Sequence, residues 1–415
     1  MRILHLVHQY PPEALGGTEF YTKAVAEATA KQGHPAAVFT PVARPGQGEE
    51  TQEEGGVTVH RVWHGIPTAS QRFRATLDAR WMLRPFVQLL NRFQPDLVHV
   101  QHLMGLPAAL LSLLRRRKIP YVLTLHDFWW FCANAQLVTN YDHSLCQGPH
   151  FYLNCTRCAI ARSGTSLAWG ATPALLPMLL WRGHLLRSGL QGASCILTAT
   201  EFVRQQHVAQ GIAPERITLL PLGIESPSET PLASPHPHTG PLRVAYVGGL
   251  AWQKGVHILV EAATRLGALC ELRIGGDLTL DPTYVANLQA RAGDNVHFLG
   301  RLNRKEVWET LAWADVVAIP SLWYETFSLL AHEAFAAGTP VIASELGALA
   351  EVVRHQIDGL LVPPGDVAAW EAALRRICQT PDLLAEWRMQ IQPPLTVEEH
   401  VQRLLAIYRE VEESS

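Results

Sequence analysis

The chain has 415 residues, of which 48% are hydrophobic and 17% charged, and its formal net charge is −3. These values exclude a disordered chain, give no reason to expect a nucleic-acid partner, and are typical of a globular protein long enough for two domains. The charge is unevenly divided, with 20 basic and 15 acidic residues up to residue 230 and 14 basic and 22 acidic residues after it.

The amino-terminal segment predicts a buried strand over Met1–Val7, followed by Gly16 and Gly17. No cationic leader or cleavage site precedes this strand, so we expect a cytoplasmic protein. A second apolar run, Tyr121–Leu125, is followed directly by His126. Because ligands bind at the carboxyl ends of strands in open α/β sheets, this position favours a functional histidine over a core histidine.

Basic residues are concentrated between Arg61 and Lys118, where 10 basic residues meet only Asp78 and Asp96 as acidic ones. A basic face attracts anionic lipid or a phosphorylated acceptor by about 1 kcal/mol per residue near a charged surface. A solvated helix face explains the same residues equally well.

Four cysteines lie within 27 residues: Cys132, Cys146, Cys155 and Cys158. A Cys-x2-Cys pair with two further thiols can form a tetrahedral structural zinc site. The remaining spacings fit no standard zinc module, so free buried thiols are the alternative.

The most apolar stretch is Leu167–Trp181, which is shorter than the ~20 residues that span a bilayer. With Trp169, Trp181, Arg182 and Arg187, it has the composition of an in-plane membrane anchor. A helix that covers the amino-terminal sheet is the alternative interpretation.

A proline-rich segment, Ser226–Leu242, predicts a linker. On both sides of it strands alternate with helices, which predicts parallel sheets. We therefore predict an α/β protein of two Rossmann-like domains that face a cleft, with residues 1–228 in the first and 240–394 in the second. The last helix, over 395–415, is expected to cross back to the first domain.

The second domain opens with a strand that leads into Gly248-Gly249 and Lys254. Glycine lets backbone amides approach a phosphate closely, and the lysine supplies charge. A simple tight turn is the alternative interpretation of the two glycines.

A later segment carries two carboxylates, Glu325 and Glu333, eight positions apart after a predicted strand over Asp315–Pro320. Helical geometry separates them by roughly 12 Å, beyond the ~5–9.5 Å of a glycosidase pair. They are better suited to two parts of one long ligand, with Glu333 on the hydroxyls of a ribose. A helix from Phe327 would leave its first amides as an anion site: Thr326, Phe327, Ser328 and Leu329.

These segments together resemble a known family. Glu325-Thr326-Phe327-Ser328-Leu329 and Glu333-Ala334 resemble the E-x7-E motif of the family 4 retaining glycosyltransferases, which have the GT-B fold. Other segments resemble the family's motifs in the same order: Gly16-Gly17-Thr18-Glu19, Asp96–His99, Thr124–Asp127, Val247–Leu250 with Lys254-Gly255, and Asp358–Val362.

The resemblance implies an enzyme that transfers a sugar from a nucleotide-diphosphate sugar to a hydroxyl acceptor, in polysaccharide or glycolipid biosynthesis. It implies that the second domain binds the donor and the first the acceptor. Lys254 and the helix amides would stabilise the leaving diphosphate, Glu325 would hold sugar hydroxyls, and His126 would orient the reacting centre. Gly16 and Gly17 would approach the phosphates or the acceptor.

The sequence contains no Asp-x-Asp motif, so we expect catalysis to need no cofactor. Three positions depart from the family pattern: Gly249 replaces a usual arginine, Ser328 replaces a usual glycine, and Leu222 replaces a usual asparagine, so we assign no role to Leu222. Two alternatives stay open, namely a sugar-nucleotide epimerase or hydrolase with this fold, and a nucleotide-sugar-binding protein with weak catalysis. Together, the basic segment and Leu167–Trp181 predict a lipid-linked glycan acceptor and a peripheral place at the inner membrane face.

Overall fold

The computed structural model describes residues 1–13, 16–163, 172–225, 240–380 and 382–414. Most of the predicted linker and the first part of Leu167–Trp181 lie outside these residues. The strands, in chain order, are β1 (Ile3–Leu6), β2 (Ala36–Pro41), β3 (Arg44–Glu54), β4 (Val57–Gly65), β5 (Leu97–Val100), β6 (Tyr121–Leu125), β7 (Cys195–Thr198), β8 (Ile217–Leu219), β9 (Leu242–Val247), β10 (Cys270–Gly275), β11 (Val296–Gly300), β12 (Val316–Ile319), β13 (Val341–Ser344) and β14 (Gly359–Val362).

The helices, in chain order, are α1 (Gly17–Lys31), α2 (Ala69–Ala75), α3 (Leu83–Phe93), α4 (Ala109–Arg116), α5 (Leu153–Ser163), α6 (Thr172–Gln191), α7 (Glu201–Ala209), α8 (Val256–Leu266), α9 (Pro282–Arg291), α10 (Arg304–Trp313), α11 (Leu329–Ala336), α12 (Leu349–Val352), α13 (Val367–Gln379), α14 (Asp382–Gln390) and α15 (Val397–Glu413). The chain divides into two compact units: residues 1–223 with 397–415, and residues 224–396.

The first unit is built on an eight-stranded sheet in the order β3-β4-β2-β1-β5-β6-β7-β8. All neighbouring strands are parallel except β3 and β4, which form an antiparallel hairpin across Gly55 and Gly56. Both of these glycines have positive φ, which is typical of the tight turns that join hairpin strands. Strand order reverses between β1 and β5, so the ligand edge of this sheet is expected at their carboxyl ends.

Helix α15 packs in the first unit, although it comes last in the chain. His400 Nδ1 lies 2.8 Å from the carbonyl oxygen of Pro221 and must donate to it, so its Nε2 accepts from the Tyr21 hydroxyl at 2.7 Å. About two helical turns after His400, the Tyr408 hydroxyl contacts His99 Nδ1 at 2.5 Å. These buried hydrogen bonds are directional, so they orient α15 against α1 and β5 in addition to the apolar side chains that pack there.

The second unit has six parallel strands in the order β11-β10-β9-β12-β13-β14. The strand predicted over Asp315–Pro320 is present as β12 and is one residue shorter at each end. The core consists of β-branched and aliphatic side chains from the central strands, among them Val244, Val316 and Ile342, which are fully buried. Strand order reverses between β9 and β12, so the loops after these two strands are the expected ligand edge.

Candidate functional site

The loops after β9 and β12 are locked together by a glycine. Gly255 has a φ of 69°, and a Cβ atom there would lie 1.8 Å from the carbonyl oxygen of Pro320. Any side chain would therefore push the loops apart. The Leu322 amide also donates to the Gln253 carbonyl at 2.8 Å. This close packing brings Lys254 to the residues that follow β12.

Glu325 receives three hydrogen bonds on one oxygen. Its Oε1 accepts from Lys254 Nζ at 2.8 Å, from Ser321 Oγ at 2.7 Å and from Trp323 Nε1 at 2.9 Å. Lys254 Nζ also lies 4.7 Å from the centre of the Trp323 ring, within cation–π range. The carboxylate is thus held in one orientation, and so is the lysine.

These contacts decide the charge of Glu325. Burial alone would raise the pKa of this carboxyl, but the charge of Lys254 and the hydrogen bonds from Lys254, Ser321 and Trp323 bring it below its ordinary value. Glu325 is therefore ionised at neutral pH.

Glu333 lies on α11 and has its own cation. Arg304 Nη1 lies 2.5 Å from Glu333 Oε1, and Arg304 Nε lies 3.1 Å from Glu225 Oε2. Burial raises the pKa of Glu333, the charge of Arg304 opposes the rise, and Glu225 adds to it, so that the pKa stays above the ordinary value. The two motif carboxylates thus differ, because Glu325 is held charged more firmly than Glu333.

The start of α11 corrects the sequence prediction. The helix begins at Leu329, not at Phe327, because Ser328 has a left-handed backbone with φ 61° and ψ 80°. Thr326 and Phe327 consequently precede the helix. Of the four residues whose amides were predicted as an anion site, Leu329 alone lies within α11, and Ser328 is its N-cap. The Phe327 ring stacks on His332 with centroids 3.8 Å apart, which fixes the first turn.

The two glycines after β9 differ in what surrounds them. A Cβ atom on Gly276 would lie 2.4 Å from the carbonyl oxygen of Gly248, so the backbone segments at these two glycines approach closely. At Gly249, an added Cβ would meet nothing within 4 Å, and its φ is not positive. A side chain at this position would therefore begin in open space.

In the first unit, His126 lies at the carboxyl end of β6 among buried polar side chains. Its Nε2 contacts Gln101 Oε1 at 2.8 Å and therefore donates to it. Its ring lies 5.0 Å from that of Tyr21. Burial lowers the pKa of His126 to about 3, and the neighbouring His102 adds to this shift. The imidazole is therefore neutral at physiological pH.

Next to His126, two histidine–carboxylate pairs lie side by side. His102 Nε2 contacts Asp127 Oδ2 at 3.1 Å, and the Met104 amide donates to His102 Nδ1 at 3.0 Å. His102 is thus the Nε2–H tautomer. His8 Nε2 lies 3.3 Å from Glu19 Oε1, and the rings of His8 and His102 are 4.4 Å apart.

The Gly16-Gly17 loop begins α1, with Gly16 as the residue before the first turn. A Cβ on Gly16 would lie 2.4 Å from Glu19 Oε2, so glycine allows this carboxylate to fold back. Glu19 accepts from the Gly16 amide and from its own, yet burial dominates and raises its pKa. Glu19 therefore caps the helix from inside its first turn.

The four clustered cysteines are free and half-buried. Cys158 Sγ accepts from the Asn140 amide at 3.3 Å, and Cys146 Sγ accepts from the Gly148 amide at 3.4 Å. Across the described ranges, no group of three or more His, Cys, Asp or Glu side chains is placed to hold a metal. The four thiols nevertheless lie near one another, because the other three add to the rise in the pKa of Cys155, and a structural zinc stays a prediction.

Two arginines that the sequence placed on the surface are buried. Arg61 is 1% exposed and pairs with Glu13 and Glu54. Arg182 is also 1% exposed, and it donates to the carbonyl oxygen of Trp129 at 2.7 Å. The predicted membrane anchor thus loses one of its cations, whereas Trp181 is 55% exposed. Of the helices that can be described, none is long and apolar enough to span a bilayer.

Several site residues were missed by the sequence analysis: Ser321, Trp323, Arg304, Gln101 and His8. Ser321 and Trp323 stand within four residues of Glu325, and this closeness was an available signal. The partners of Arg304, Gln101 and His8 lie between 11 and 29 positions away in the contacts with Glu333, His126 and Glu19, and no sequence pattern marks them.

Comparison with protein families gives matches to both units. Residues 16–223 match the family described as glycosyl transferase 4-like domain, and residues 241–380 match the glycosyl transferases group 1. A glycogen synthase of Mycobacterium tuberculosis is 27% identical over 401 residues, covering 92% of this chain and 87% of that one. A D-inositol 3-phosphate glycosyltransferase of Mycobacteroides abscessus is 38% identical over 136 residues, covering 32% of this chain and 30% of that one.

Solved structures show the same fold. A sucrose-phosphate synthase from Thermosynechococcus elongatus aligns with a TM-score of 0.73 at 21% identity, over 100% of both chains. The Anabaena protein Alr3699/HepE, solved in complex with UDP and glucose, aligns with a TM-score of 0.68 at 17% identity, over 99% of both chains. The fold expected from the sequence is confirmed.

Proposed function

The chain belongs to the GT-B glycosyltransferases that combine a glycosyl transferase 4-like domain with a group 1 domain, and we propose that it transfers a sugar from a nucleoside-diphosphate donor to a hydroxyl acceptor with retention of anomeric configuration. The observation that carries the proposal is the Lys254–Glu325 pair at the carboxyl edge of β9 and β12. One cation and one oriented carboxylate at this edge support the binding of a leaving diphosphate and of a sugar.

The donor is proposed to lie along the second unit. Lys254 and the first amides of α11 would hold the diphosphate, since they supply charge and directed N–H groups. Glu325 would accept from sugar hydroxyls, and Glu333 would accept from the hydroxyls of the ribose. The Anabaena structure with UDP and glucose supports a donor of this class.

The reaction is proposed to proceed on one face of the sugar. The bond between the anomeric carbon and the diphosphate oxygen breaks as the acceptor oxygen approaches, and the proton of the acceptor hydroxyl passes to the leaving phosphate oxygen. Lys254 and the α11 amides stabilise the negative charge that develops there. We propose that this chemistry requires no metal ion.

The acceptor is proposed to bind in the first unit, where His126 would orient the reacting centre and Gly16 and Gly17 would bring the backbone close. The neutral imidazole of His126 donates to Gln101, so its other nitrogen is an acceptor by tautomer.

We further propose that the acceptor is a glycan held at the cytoplasmic face of a membrane, in polysaccharide or glycolipid biosynthesis. The cations of Arg115, Arg116 and Arg117 at the end of α4 are exposed, and so is Trp181 on α6. Arg115 Nη1 contacts Ser188 of α6 at 3.3 Å, which places these two helices side by side. Exposed cations and an exposed tryptophan on two neighbouring helices support binding to an anionic interface.

Product analysis tests the proposed reaction. A thermal-shift screen of nucleotide sugars first identifies the donor, because a ligand at 100 times its Kd adds about 2.7 kcal/mol of stability. Incubation with glycan acceptors should then give a glycoside whose anomeric configuration equals that of the donor. A rearranged nucleotide sugar without any acceptor would indicate an epimerase, and free sugar alone would indicate a hydrolase.

A further inference from the structure

Arg304 is held by three side chains of the second unit, one of which is Glu333. It is the first residue of α10, and its guanidinium joins two carboxylates, with Nη1 2.5 Å from Glu333 Oε1 and Nε 3.1 Å from Glu225 Oε2. The same guanidinium lies 4.8 Å from the centre of the Trp308 ring, one turn along the helix. Three separate contacts therefore hold its plane.

The helix itself gives no reason for an arginine at this position. A cation at a helix amino terminus is opposed by the helix dipole. The end of α10 is already capped, because Asn303 and Glu306 form a reciprocal capping box. The arginine is therefore better explained by what it contacts than by the stability of α10.

The two carboxylates it joins lie in different environments. The Glu333 side chain is 13% exposed, whereas that of Glu225 is 56% exposed. An ion pair between exposed groups contributes little, so the contact with Glu225 has the smaller effect on its own. The contact with Glu333 orients a carboxylate that is nearly buried.

We propose that Arg304 is a positioning residue for the donor nucleotide: it holds Glu333 by Oε1 so that Oε2 faces the ribose hydroxyls. This inference rests on the proposed role of Glu333 in donor binding. Among the hydrogen bonds between described residues, the one that reaches the Glu333 side chain goes to Oε1. Glu225 accepts from Nε on the other edge of the guanidinium, and this contact helps to orient the guanidinium toward Glu333.

The arrangement also sets the charge of Glu333. The charged groups that act on it are Arg304 from α10 and Glu225 from the segment before β9. Loss of Arg304 leaves burial and Glu225 unopposed, so protonation of Glu333 moves to higher pH. Loss of Glu225 moves it to lower pH. A protonated carboxyl accepts poorly from a hydroxyl. The pH below which nucleotide affinity falls should therefore be higher without Arg304 and lower without Glu225.

Calorimetry with paired nucleotides tests the proposal. The nucleotide is whichever of UDP, ADP and GDP binds the wild type most tightly, together with its 2′-deoxy form. Arg304→Met should weaken the ribonucleotide about tenfold or more, the size of one lost charge-assisted hydrogen bond, and should reduce the preference over the 2′-deoxy form. Arg304→Lys should restore part of both.

The pH profile adds a readout that a merely structural role would not move. As pH is lowered, nucleotide affinity should begin to fall at a higher pH in Arg304→Met than in the wild type, and at a lower pH in Glu225→Gln. Lys305→Met is the matched control, since it removes the adjacent cation of the same helix, which pairs with Glu309; it should change neither quantity.

Each contrary outcome has a distinct meaning. If Glu333→Ala loses the preference for the ribonucleotide and Arg304→Met keeps it with an unshifted pH profile, the role of Arg304 is overturned while the donor site stands. If Glu333→Ala also keeps the preference, or if none of the three nucleotides binds, the assignment of Glu333 to the ribose is wrong and this inference is overturned with it.

Discussion

Lys254 Nζ lies 2.8 Å from Glu325 Oε1, which joins the loops after two neighbouring strands, β9 and β12, through one ion pair. The side chains are 27% and 12% exposed. A pair this sheltered is screened less by water than a surface pair, so removing one partner leaves the other in an unfavourable site.

Removing the lysine should give a pH-dependent loss of stability. In the wild type the pKa of Glu325 is below its ordinary value, so its stabilisation is present above about pH 4.3 and is lost as pH falls through the folded pKa. In Lys254→Ala the opposing charge is gone, burial dominates, and the pKa of Glu325 rises.

Calorimetric melting should therefore show Lys254→Ala destabilised by about 1–3 kcal/mol at pH 7.5, with a smaller loss at pH 5, where the carboxyl takes up a proton. Lys305→Ala, an exposed lysine on α10, is the control and should show neither effect. An equal loss at both pH values would contradict the charge coupling.

Ser328 should be stabilised by replacement with glycine. Its left-handed backbone costs a residue with a Cβ about 1–2 kcal/mol, whereas glycine adopts it freely. We expect Ser328→Gly to raise the Tm by about 2–4 °C. Ala336→Gly, at the last residue of the same helix, should lower it, because glycine is a poorer helix former than alanine. A drop in Tm for Ser328→Gly would mean that the serine side chain has a role that outweighs its backbone strain.

Elemental analysis tests whether the four clustered cysteines bind zinc. Protein purified without added metal should contain about one zinc per chain if Cys132, Cys146, Cys155 and Cys158 are ligands. Cys155→Ser should then lose the metal, and Cys378→Ser, outside the cluster, should retain it. Metal-free protein in which all four thiols react with an alkylating agent under native conditions would contradict the zinc prediction.

Membrane binding should depend on salt. The wild type should sediment with anionic vesicles at 0.1 M salt and be released at 1 M, because the Debye length falls from about 10 to about 3 Å. Neutralising Arg115, Arg116 and Arg117 should weaken binding, as should Trp181→Glu.

The matched control for that experiment neutralises three exposed cations of the other unit, Arg291, Arg301 and Lys305, and should leave vesicle binding unchanged. No binding at low salt would remove the surface-bound acceptor and favour a soluble one.

The sequence predicted the parts of the fold that follow from local pattern. Short β-branched runs marked the strands of the second unit, and the residues after them, Lys254 and Glu325, lie where parallel strands place a ligand edge. Lys254 and Glu325 are brought together by Gly255, whose neighbour is a carbonyl oxygen 65 positions later. That approach is a tertiary contact, and no local pattern predicts it.

Other features failed because composition says nothing about burial. Arg61 and Arg182 were counted as surface charge, but each finds oxygen partners inside the first unit. The helix after Glu325 begins two residues late because Ser328 takes a backbone that serine rarely adopts. The partners of Glu333 and His126, namely Arg304 and Gln101, come from other elements of the fold.

The most direct test of the proposed donor site is calorimetric titration of UDP, ADP and GDP into the wild type, Lys254→Ala and Glu333→Ala. At least one nucleotide should bind the wild type, and each substitution should weaken its binding about tenfold or more, since each removes a charge-assisted contact. Circular dichroism should show that both variants are folded. Unchanged affinity in both variants would contradict the assignment of the donor site to the edge of β9, β12 and α11.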